Sequence, residues 1–167
     1  MVHFEDNRVE MKNALNQKGI AFLYEAKESL VTQTVRNTPT GSGDLKRSFS
    51  NDSYVDETNL IAYIGSSLEH SIWVEMGTGE YVVKGNGRRG GWWIPVGSGK
   101  GQISLASAQK YGWNKVIRNK QGNPTFVFTY GMKPKRMLYK AYQIKRKKIQ
   151  EQANKIYKEM NSVWKNC

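Results

Sequence analysis

Along the first third of the chain, Leu15, Phe22, Ala26 and Leu30 recur at helical spacing, with Glu25, Lys27 and Glu28 on the rest of the cylinder. This pattern predicts an amphipathic helix from about Phe4 to Val35. Gly19 lies inside it and costs about 1 kcal/mol against alanine, so the ordered part is expected to begin after Gly19 or to bend there. The helix must stop before Thr38-Pro39-Thr40-Gly41-Ser42-Gly43, because proline disfavours a helical residue ahead of it and the glycines open a turn. Leu45–Tyr54 and Asn59–Ile64 then read as two strands of a hairpin around Val55-Asp56-Glu57-Thr58, with Leu60, Ala62 and Ile64 alternating against Ile61 and Tyr63. A short apolar stretch, Ile72 to Met76, ends at Gly77-Thr78-Gly79.

Beyond Glu80 the pattern loosens. Glycines 85, 87, 90, 91, 97, 99 and 101 surround one bulky island, Trp92-Trp93-Ile94-Pro95-Val96, and the whole stretch of about 80–112 reads as a flexible excursion. A strand over Thr125–Tyr130 follows, bounded by Gly122-Asn123-Pro124 and Gly131. The most regular pattern comes last. Leu138, Tyr142, Ile149, Ala153, Ile156, Met160 and Val163 predict a helix from Lys135 to about Val163, roughly 40 Å long. Its apolar seam breaks at Lys145, inside the basic run Lys145-Arg146-Lys147-Lys148, which favours packing on a sheet over a pure coiled coil.

Length and composition narrow the picture. At 167 residues the chain suits a single domain, 1–167, and its 11% aromatic content supplies a core despite 38% hydrophobic residues. Cys167 is the single cysteine, so no intramolecular disulfide is expected, and neither a signal peptide nor a membrane-spanning window is recognisable. The net charge of +12 favours acidic partners, whether nucleic acid, anionic lipid or an acidic protein face.

Motifs for chemistry are weak. Gly85-Asn86-Gly87-Arg88-Arg89-Gly90 satisfies G-x-G-x-x-G but lacks the preceding strand and following helix of a dinucleotide site. Gly97-Ser98-Gly99-Lys100-Gly101 misses a phosphate loop at two positions, Ile94 and Gly101. His3 and His70 have no metal-ligand spacing around them, and no acid cluster or nucleophile triad is apparent. No catalytic residue, metal or cofactor is therefore expected. Glu75, in an apolar stretch beside a turn, is expected to organise the turn with Gly77 and Gly79 by accepting backbone N–H bonds. Trp92, Trp93 and Trp113 lie near Arg88, Arg89, Lys100 and Lys110, a mixture that stacks bases and neutralises phosphates but equally anchors protein interfaces. The interface reading makes Arg88, Arg89, Trp92, Trp93, Lys100 and the run Lys145, Arg146, Lys147 and Lys148 candidate assembly contacts.

Three segments in order resemble the tail-completion or neck (head–tail joining) protein family of tailed bacteriophages, the gp-ten-like tail components of lambdoid phages. Pro39-Thr40-Gly41 with Leu45-Lys46-Arg47-Ser48 resembles the family's Thr-Gly-x-Leu-x-x-Ser signature, stretched here by Ser42-Gly43. Ile72 to Gly79 resembles its aromatic-Val-Glu-aromatic-Gly-Thr segment, with Met76 at the second aromatic. Gly131 to Ala141 resembles its Gly-x-x-Pro-x-Pro-Phe-Leu-x-x-Ala entry to the last helix, with Arg136 and Met137 replacing Pro and Phe. The resemblance covers about residues 10–160. It implies an α+β fold in which two long helices flank a small antiparallel sheet, and a role without catalysis or cofactor. It further implies a hexameric ring of this chain, made in the bacterial cytoplasm and built into a virion or tail-like particle. Its expected neighbours are head-completion or collar proteins and tail-terminator or tube proteins, with passive contact to channel DNA and no membrane. A basic nucleic-acid-binding protein is the alternative.

Overall fold

The computed structural model describes residues 8–41 and 43–165. His3, residues 4–7 of the expected first helix, Ser42, Cys167 and the side chains of Met160 and Val163 lie outside the described residues. The fold is α+β, with a long helix near each end of the chain and small antiparallel sheets. The chain forms two compact units, residues 1–68 with 137–167, and residues 69–136.

In the first unit, α1 (Arg8–Asn37) pairs with α5 (Met137–Lys165). The two run antiparallel: Asn37 Nδ2 donates to the Met137 carbonyl at 3.1 Å, Gln152 Nε2 to Glu25 Oε1 at 2.6 Å, and Lys18 lies 3.8 Å from Glu159. Ala26, Val31 and Thr34 of α1 and Met137 and Ala141 of α5 are buried. Thr34 and Thr38 bury their hydroxyls at little cost because each donates to the carbonyl four residues back. Gly19 does not interrupt α1, and space is open where its Cβ would be.

The expected strand over Leu45–Tyr54 is instead mostly a helix, α2 (Asp44–Asp52), with only Tyr54 in a strand. Helical geometry places Leu45, Ser48 and Phe49 on one face, and Ser48 and Phe49 are buried. Asp44 in the first turn complements the helix dipole. The hairpin itself is formed by β1 (Tyr54–Asp56) and β2 (Ile61–Tyr63), in register Tyr54 to Tyr63 with the two rings stacked at 4.9 Å. Its turn is organised by Asp56, whose carboxylate accepts from the Asn59 side chain and from the Asn59 and Thr58 amides, holding it below the usual carboxylate range.

The second unit holds α3 (Ser71–Met76), β3 (Trp92–Pro95), α4 (Leu105–Lys110), β4 (Val116–Arg118) and β5 (Pro124–Thr129). Its sheet has the order β3-β5-β4, both pairs antiparallel, with Val127 of the central strand fully buried. The stretch 80–112, expected as a flexible excursion, thus contains a strand and a helix. The reason is non-local: Trp92–Pro95 becomes a strand by pairing with Phe126–Thr129, a partner its own neighbourhood does not announce. α4 is capped by Ser104, whose hydroxyl accepts from the Ser107 amide.

Candidate functional site

Two features of the second unit bear on function, and the first is a backbone junction. α3 ends at Gly77 (φ 80°), whose amide donates to the Trp73 carbonyl. The chain then runs against residues 130–136: the Thr78 amide donates to the Met132 carbonyl at 2.9 Å, the Glu80 amide to the Tyr130 carbonyl at 2.9 Å, and the Met132 amide to Thr78 Oγ1 at 2.8 Å. Lys135 and Arg136 donate to the carbonyls of Val74 and Glu75 at 2.9 and 3.2 Å. Only glycine allows the approach at Gly79 and Gly131, where an added Cβ would lie 2.2 Å from the Tyr130 carbonyl oxygen and 2.0 Å from that of Thr78. Glu75 is half-buried and ties the junction through its carbonyl, while the Glu80 carboxylate accepts the Gly90 amide at 2.9 Å and fixes the glycine turn ahead of β3.

The second feature is a cleft of about 610 Å³ beside β5. Lys110, Lys115, Lys133 and Lys135 line it, all exposed, and among the described residues no Asp or Glu does. Its aromatic lining is Tyr81, Tyr111, Trp113, Phe128 and Tyr130. Trp113 is held by its indole N–H, which donates to the Gly131 carbonyl at 3.2 Å, and Tyr111 packs on it at 5.3 Å. Phe128 meets Tyr130 edge-on at 5.0 Å. Lys115 Nζ stands 4.9 Å from the Phe128 ring centre and 5.6 Å from that of Trp93, and Lys133 Nζ stands 5.7 Å from that of Tyr81.

Of the residues singled out in the sequence, Arg88 lies over the Trp92 ring at 5.3 Å, Trp93 packs on Phe128, and Arg89 and Lys100 are exposed on loops flanking β3. Lys145 to Lys148 belong to α5 in the other unit, where Arg146, Lys147 and Lys148 are exposed and Lys145 is half-buried. Sequence reading placed Trp113 and Lys110 among candidate nucleic-acid contacts but missed Tyr111, Lys115, Tyr130 and Lys133. One signal could have found the region: residues 81–150 contain 16 of the 26 Lys and Arg and none of the 14 Asp and Glu.

Among the described residues no group of three His, Cys, Asp or Glu could hold a metal ion, and no helix is long and apolar enough to cross a membrane. No protein-family model matches the chain, and no curated protein or solved structure matches it either.

Proposed function

We propose that this chain is a structural protein of a tailed bacteriophage or phage-tail-like particle, forming a ring at the neck or tail-completion position and performing no catalysis. The observation that carries this reading is the junction between the second and third resembling segments. Residues 72–79 and 131–136 are joined by backbone bonds running in both directions, with Thr78 and Met132 held twice across 54 residues of sequence and Gly131 at the closest approach to Thr78. Chance matches to short patterns have no reason to depend on each other in this way. In such a ring, the basic exposed residues around β3 and on α5 would meet acidic faces of neighbouring rings or phosphates in the channel. Deleting the chain from the phage that encodes it tests the proposal: unjoined heads and tails in electron micrographs are expected, and normal infectious particles would remove it.

A second reading, a nucleic-acid-binding protein, is favoured by the acid-free run over residues 81–150. Binding of purified protein to DNA that weakens steeply as salt rises supports it, and binding indifferent to salt counts against it.

A further inference from the structure

We propose that the cleft beside β5 is a binding site for a short single-stranded nucleic-acid segment, with bases stacked on Tyr111 and Tyr130 and phosphates met by Lys115 and Lys133. The ligand class rests on the nucleic-acid reading above; the geometry is independent of the neck assignment. Tyr111 and Tyr130 are 46% and 47% exposed, large aromatic faces left to solvent in a cleft already floored by packed rings. Open rings of this kind offer π-faces on which bases can stack beside the lysines. The lysines are interleaved with the rings, with Lys115 beside Phe128 and Trp93 and Lys133 beside Tyr81. Alternation of cation and ring at this scale matches the alternation of phosphate and base in a nucleotide chain.

Two competing occupants fit less well. An acidic protein segment would favour arginine, whose planar fork pairs carboxylates bidentately, and among the described residues no arginine lines the cleft. The ammonium groups instead act as point charges on flexible stems, suited to phosphates at variable positions. A duplex keeps its base faces stacked inside, so it could use the lysines but not the tyrosines.

The test uses the full chain, a labelled oligothymidylate of about ten nucleotides, a duplex of the same length and a polyglutamate peptide of the same length. The oligothymidylate is expected to bind tightest. Tyr111→Leu and Tyr130→Leu should each weaken it about fivefold to a hundredfold with little effect on the peptide. Lys115→Gln and Lys133→Gln should each lower the slope of log affinity against log salt by about 0.7, a readout that a purely structural role would not move. Lys12→Gln, an equal loss of charge on α1, should leave that slope within error. Unchanged circular dichroism identifies folded variants, and the lysine pair keeps the test decisive if a tyrosine variant fails to fold. Oligonucleotide binding that ignores all four cleft substitutions would overturn the site while leaving the chain a nucleic-acid binder. Equal affinity for polyglutamate would assign the cleft to an acidic protein segment, equal affinity for the duplex would remove base stacking, and no binding at all would remove both site and reading.

Discussion

Thr78 and Met132 hold each other twice: the Thr78 amide donates to the Met132 carbonyl at 2.9 Å, and the Met132 amide donates to Thr78 Oγ1 at 2.8 Å. The threonine hydroxyl thus serves an amide that the backbone geometry leaves over. Thr78→Val keeps the shape and removes the acceptor, leaving a half-buried N–H unpaired. A loss of about 1–3 kcal/mol in chemical denaturation is expected, and Thr78→Ser should recover most of it. Valine at wild-type stability would show that water satisfies the Met132 amide.

The glycines of this junction should differ sharply from an open loop glycine such as Gly85. Gly79→Ala places a methyl in a left-handed conformation (φ 61°) and 2.2 Å from a carbonyl oxygen, so the two segments of the junction must part. Gly85→Ala meets only the conformational penalty (φ 71°), since nothing lies within 4 Å. Thermal denaturation should give a loss of about 1–2 kcal/mol at Gly85 and clearly more at Gly79. Equal losses would mean that the junction relaxes freely.

The two long helices were legible because their signal is local and long, and one glycine cannot outweigh a helix of about eight turns packed along its later part. The α2 error had a local remedy: Leu45 and Phe49 are four apart, and their helical register was hidden by reading the segment as the start of a sheet. β3 had no such remedy, because its partner lies more than thirty residues on. The cleft was half legible. Trp113 and Lys110 stood out by type, but Lys115 on β4's approach and Tyr130 after β5 are brought to it only by the pairing of Val116 with Val127. The charge pattern, sixteen cations without one acid, was visible in the sequence and marks the region without locating the cleft.

Acid should act on the end of α2. The Asp52 carboxylate accepts the Ser67 amide at 2.7 Å and the Ser67 hydroxyl at 2.8 Å, and these bonds hold it below its ordinary range. A depressed carboxyl contributes stability above its unfolded pKa of about 3.9, and the contribution is lost as pH falls through the lower folded value. The Ser67 amide resonance, followed from neutral pH downward, should therefore titrate with a midpoint below about 3.9, and Asp52→Asn should abolish that titration. A midpoint at the ordinary value would mean that the bonds contribute nothing.

The basic run of α5 separates folding from assembly. Met137, where the helix begins, is fully buried, and Met137→Ala should cost about 2–5 kcal/mol. The seam further along is half-buried at Ile149, Ala153 and Ile156, while Lys147, Lys148 and Lys155 are exposed. Ile156→Ala is therefore expected to cost less than Met137→Ala, and Lys148→Ala about 0.5 kcal/mol or less. Reversing Lys147 and Lys148 together to glutamate sets both against Glu151, one turn on, at about 0.2–0.5 kcal/mol per pair, too little to unfold the helix. If the run meets an acidic neighbour or DNA in the particle, this variant should fold with near wild-type denaturation yet fail to complement a deletion, leaving heads and tails apart. Wild-type joining by the reversed variant would make the run a solvated helix face, and the charge that matters for assembly would then have to be sought around β3, at Arg88, Arg89 and Lys100.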